Sequence, residues 1–262
     1  MSTAAGATTL ATRRSSRLVT WVRSWRAGLV PYDEVADEVA RGEEHLVADA
    51  PGAWTDVSLR EGLTAFSKLT PDQIRLVLPA PGDPRGLPGP GAGEFTGAAL
   101  VAGEAVIAGD LGLIPEVRTH TSGSGVTFET VLWRCFPLPA GTPAPVPVSV
   151  AEAESELNQL LAEATNTLAR LDIAQWRPEL AGALAAIRKP DSANELPPGF
   201  DPRSRRLFAR ASVLDRVLAL ADEVAPGGAV NGFEVQARDA ALRPLAAACR
   251  GALVSACNAP LI

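Results

Sequence analysis

The sequence predicts an α+β fold, with an antiparallel sheet and flanking helices in the N-terminal part and an all-helical C-terminal part. Three patterns carry this expectation. Apolar residues recur at helical spacing before position 40, and residues 74–136 fall into short β-branched and aromatic runs bounded by glycine turns. After a tract with five prolines in the eleven residues 137–147, the spacing returns to alternating threes and fours.

Leu18, Trp21, Val22, Trp25 and Leu29 share one side of a first helix, while Arg14, Arg17, Arg23 and Arg26 mostly lie elsewhere. The tryptophan stripe reads as docking on the chain's own sheet; a membrane surface or a partner is the alternative. Pro31 can open a second helix with Tyr32, Val35 and Val39 on one side. Asp33, Glu34, Asp37 and Glu38 stand near its start, where carboxylates suit the helix dipole. His45, among Glu43, Glu44 and Leu46, reads as a helix-end residue. A third helix is expected over about 57–69, ended by Thr70-Pro71-Asp72.

Strands are expected at 74–78, 98–101, 105–108 and 126–136, in a sheet of roughly four or five strands. In the last of these, Val126, Phe128, Leu132 and Phe136 share one face and Val131, Trp133 and Cys135 the other, which suits a central strand. Short links such as Gly103-Glu104 and Ser122-Gly123-Ser124-Gly125 favour antiparallel hairpins.

Between the first two expected strands stands PGDPRGLPGPGAGEFTG, seventeen residues with six glycines and four prolines. A loop of that length in a compact domain is a functional surface or a solvated excursion. As a surface it would present Asp83, Arg85 and Glu94 to a partner. Its glycines are expected to lead into a strand, whereas a dinucleotide fingerprint needs a helix there, and Gly-Lys-Ser/Thr does not occur.

The proline tract divides the chain into an α+β domain (1–140), a linker (141–148) and a helical domain (149–262), which can still pack as one body. Ser149 caps a helix with Leu157, Leu161, Ala164, Leu168 and Leu171 at helix-packing intervals. Residues 176–187 give a shorter helix. Asp201-Pro202 opens a third, which Pro226-Gly227-Gly228 stops, and an alanine-rich helix with Pro244 inside it ends the chain. Arg203, Arg205, Arg206 and Arg210 gather at the start of the third, against the helix dipole. Either intramolecular pairs with Glu195 and Asp201 neutralise them, or an anion or acidic partner does.

Composition limits the function. Hydrophobic residues at 47% and charged residues at 21% describe a globular chain. The 22 arginines against 2 lysines fit a GC-rich genome, and a net charge of −6 argues against nucleic acid as a partner. Cys135, Cys249 and Cys257 are odd in number and far apart, so buried free thiols in a reducing cytoplasm are expected. Arg23 and Arg26 interrupt any secretory h-region, and no apolar run is long enough to span a membrane; the expected location is cytoplasmic.

With only His45 and His120 present, hydrolytic chemistry is restricted. His120 lies beside Thr121, Ser122 and Ser124, but a nucleophile also needs an orienting acid and an oxyanion hole. The scattered cysteines and histidines make no zinc set, and no cofactor is expected.

WVRSWRAGLVPYDEV at 21–35, FSKLTPDQIRLVLPAPGDPRGLPGP at 66–90 and WRPELAGAL at 176–184 together resemble a signature protein family confined to actinobacteria. The resemblance extends over most of the chain. It implies no enzymatic activity, cofactor or active-site residue. It does imply a cytoplasmic regulatory or interaction protein, and some relatives are associated with a chromosome-partitioning ATPase. The expected function is therefore noncatalytic, with a protein partner and with self-association also admitted. The alternative is an enzyme acting on an anionic small molecule, in which Arg85 and Arg118 bind substrate and His120 or Glu129 moves protons.

Overall fold

Helices α1 (Arg14–Arg26) and α2 (Tyr32–Ala40) form where the apolar spacing places them, with Pro31 at the N-cap of α2. The computed structural model describes residues 13–89, 92–123, 125–139, 148–170, 195–223 and 232–262. Residues 141–147 of the expected linker (141–148), the expected helix at 176–187 and the stop at 226–228 lie outside them.

Six strands make one mixed sheet. In chain order they are β1 (Glu44–Ala48), β2 (Val57–Ser58), β3 (Ile74–Val77), β4 (Ala105–Ala108), β5 (Leu111–Thr121) and β6 (Thr127–Pro137). Their spatial order is β2-β1-β6-β5-β4-β3. β6 is central, as its two apolar faces predict, but the sheet is not purely antiparallel. β1 runs parallel to β6, with His45 beside Val131 and Val47 beside Trp133. The sequence conceals this pair because a parallel neighbour needs a long crossover, here everything from β2 to β5.

Four further expectations are corrected. The stretch 57–69 is not one helix: β2 is followed by the short α3 (Leu59–Gly62) and a 3-10 turn, Leu63–Phe66. Residues 98–101 are not a strand but belong to α4 (Gly93–Ala102). Phe95 and Ala99, one helical turn apart, are buried on the sheet while Val101 is 91% exposed, so docking of one face overrides the β propensity of Leu100-Val101. Gly103, at φ 69°, then ends the helix in the left-handed conformation, so Gly103-Glu104 links a helix to a strand and makes no hairpin. Finally, His45 is a buried residue of β1 and not a helix end.

The described C-terminal helices are α5 (Val150–Arg170), α6 (Pro202–Glu223) and α7 (Gly232–Cys257), which contains Pro244. The irregular segments 195–201 and 258–262 mean that this part is not purely helical. Ser149 caps α5 reciprocally: its hydroxyl accepts the Glu152 N–H (3.2 Å), and its own N–H donates to the Glu152 carboxylate (3.1 Å).

One hydrophobic core joins both parts of the chain. Leu18, Trp21 and Val22 of α1 and Leu76, Val131, Trp133 and Cys135 of the sheet belong to the same buried cluster as Leu157, Leu207 and Leu253. A smaller core on the opposite sheet face holds Phe95, Ile107, Ile114 and Phe136 beneath α4. The guanidinium of Arg23, 1% exposed, donates to the carbonyls of Pro71 (3.1 Å) and Cys257 (2.5 Å), tying α1 to the end of α7. All three cysteines are free and buried. Among the described residues, no helix is long and apolar enough to cross a membrane.

Candidate functional site

β5 and β6 are each eleven residues long, while β4 and β1 pair with only part of them. β4 reaches Leu113 and β1 begins at Thr130, so the hairpin continues as a two-stranded ribbon beyond the sheet. Every residue of β5 from Glu116 onward is exposed. Val126 is 62% exposed, Phe128 49% and Val117 41%. Directly opposed residues share a face, so Val126, Phe128 and His120 lie together on one side. The His120 ring stacks on Phe128 at 5.1 Å, and its Nε2 meets the Thr130 hydroxyl at 2.8 Å. Arg118 pairs with Glu116 at 3.2 Å.

The hydrogen-bond phase of the ribbon is readable from its ends. Ser122 N–H donates to the Val126 carbonyl (2.8 Å), and Leu138 N–H to the Asp110 carbonyl (2.7 Å). Antiparallel partners alternate between pairs that exchange bonds and pairs that do not, so even-numbered residues of β5 bond to β6. Odd-numbered ones direct their backbone groups away from it.

A polar network anchors the base of the ribbon. Arg14 bridges Glu43 (2.6 Å) and Glu129 (2.8 Å), joining α1 to both the entry of β1 and the ribbon. The His45 Nε2 faces Glu43 at 3.2 Å, and its Nδ1 accepts the indole N–H of Trp133 at 3.1 Å. The His45 hydrogen bond, followed by the contact with Arg14, holds Glu43 down to about 2. Nearby, Glu104 accepts the Ser15 N–H at 2.7 Å at the start of α1, while desolvation raises its pKa. Spacing could not reveal this network, because its members come from four separate elements.

The residues singled out from sequence are dispersed. Asp83 is tethered on two sides, to Arg85 (2.7 Å) and to Arg250 of α7 (2.9 Å), so the glycine-rich excursion is pinned to the C-terminal part. Its glycines lead into α4, whose first turn carries Glu94, exposed and without a polar partner among the described residues. Arg118 and His120 lie on the ribbon, each held by the local partner named above. On α6, Arg203 pairs with Glu154 of α5 (2.7 Å), and Asp201 accepts the backbone N–H groups of Arg203 and Ser204. Arg205 donates to the carbonyls of Leu196, Pro197 and Phe200. Arg206 is exposed, with no polar partner among the described residues.

Two hollows can be compared with these positions. A cleft of about 500 Å³ is lined by Trp21, Glu38, Arg41, Leu196 and Arg205, but Arg41 already pairs with Glu38 (2.8 Å) and each Arg205 nitrogen already donates to a backbone carbonyl. An apolar void beside Phe66, Trp133 and Cys135 measures about 10 Å³, room for a single water. Neither is lined by Arg85, Arg118 or His120.

Two family profiles together match most of the chain. The N-terminal domain profile of the Rv1486c-like proteins matches residues 15–150, and the C-terminal domain profile matches 151–254. The chain belongs to the Rv1486c-like family. It is 29% identical to the uncharacterized protein Rv1486c of Mycobacterium tuberculosis, over 94% of this chain and 96% of that protein. It is 24% identical to the uncharacterized protein ML1804 of Mycobacterium leprae, over 94% and 97%. The Rv1486c-like family is actinobacterial and of unassigned function, and no solved structure matches the chain.

Proposed function

We propose that this member of the Rv1486c-like family is a noncatalytic interaction or regulatory protein of the cytoplasm that meets a protein partner on the free half of its β5–β6 ribbon. One observation carries the reading: Val126 and Phe128, 62% and 49% exposed, stand on one face of a hairpin that its own sheet leaves uncovered. Exposed apolar side chains clustered on a projecting element suit a contact surface. The arginines expected to bind an anion have intramolecular partners instead, except Arg206, which has none among the described residues. The resemblance at 21–35, 66–90 and 176–184 brings forward a chromosome-partitioning ATPase as the partner class.

A pull-down with that ATPase, and with lysate, should compare the parent with three variants: Val126→Ser/Phe128→Ser, Arg203/Arg205/Arg206→Ala, and a shortened 81–89 loop. Binding should be lost with the first variant and kept with the other two. Retention of every specific partner by the Val126→Ser/Phe128→Ser protein would remove the ribbon from the proposal.

A further inference from the structure

We draw no further inference here: the strongest candidate, the guanidinium of Arg75 on the α4 side of the edge strand β3, whose Nε and Nη1 are buried with no hydrogen-bond partner among the described residues, lines neither of the two hollows, and nothing in the structure shows what would meet it.

Discussion

The indole N–H of Trp133 donates to Nδ1 of His45, and that bond determines which ring nitrogen carries the proton. Indole can only donate, so Nδ1 must accept and Nε2 holds the hydrogen that points at Glu43. Trp133→Phe leaves Nδ1 without its donor in the interior. The expected loss is about 2 kcal/mol, the usual consequence of an orphaned buried polar group, and urea unfolding measures it. An unchanged midpoint would show that the bond contributes nothing.

Glu43, lowered from 4.5 to about 2, makes stability depend on acid. A depressed folded-state pKa contributes stability that is fully present above about 4.5 and is lost as pH falls through about 2. Asp83, lowered from 3.8 to about 2 by Arg85 and then Arg250, acts in an overlapping window. Glu43→Gln should therefore reduce the difference between urea midpoints measured at about pH 6 and about pH 3. A difference as large as the parent's assigns the acid sensitivity elsewhere.

The Asn258 side chain accepts the Leu76 N–H (2.8 Å) and donates to the Leu76 carbonyl (3.0 Å), so Asn258→Ala removes both substitutes for a strand neighbour there. A loss of about 1–3 kcal/mol is expected, together with faster amide exchange at Leu76. Exchange at the parent rate would mean that water replaces the side chain without penalty.

Gly112 of β5 lies directly beneath α4, where an added Cβ would meet the ring of Phe95. Gly112→Ala should destabilise by about 1–3 kcal/mol through overpacking, and near-ultraviolet dichroism should report the disturbed aromatic pair Phe95–Phe136, now 6.0 Å between ring centres. An unperturbed protein would show that α4 yields easily.

Burial pushes Cys135 up to about 11 and Cys249 and Cys257 up to about 12. The thiolate is the reactive form, so a disulfide reagent at about pH 8 should label none of the three in the folded chain and all three in denaturant. Rapid labelling of the folded chain would contradict their burial.

Much of this was legible from local pattern. The two apolar faces of β6, Pro31 before α2, and Ser149 with Glu152 each depend on residues within a few positions of one another. β1 was not legible: its five residues follow a charged turn, and its partner β6 lies more than eighty residues away. α4 was misread because Leu100-Val101 favours a strand, and only the docking of Phe95 and Ala99 decides otherwise. Of the ribbon only β6 was visible, as alternation over 126–136; β5 (Leu111–Thr121) was not among the expected strands, and whether Phe128 and Val126 are covered depends on where β1 and β4 stop.

By itself, the sequence determined the α+β class, the change to helical spacing after the proline tract, the burial of its thiols and a net acidic charge, because these follow from periodicity and composition. Tertiary structure alone decided that His45 is interior, that Asp83 holds the glycine-rich segment to α7, and that β5 keeps an open edge. Each of those depends on which distant segment arrives beside a residue, and neighbouring letters in the chain do not encode that arrival.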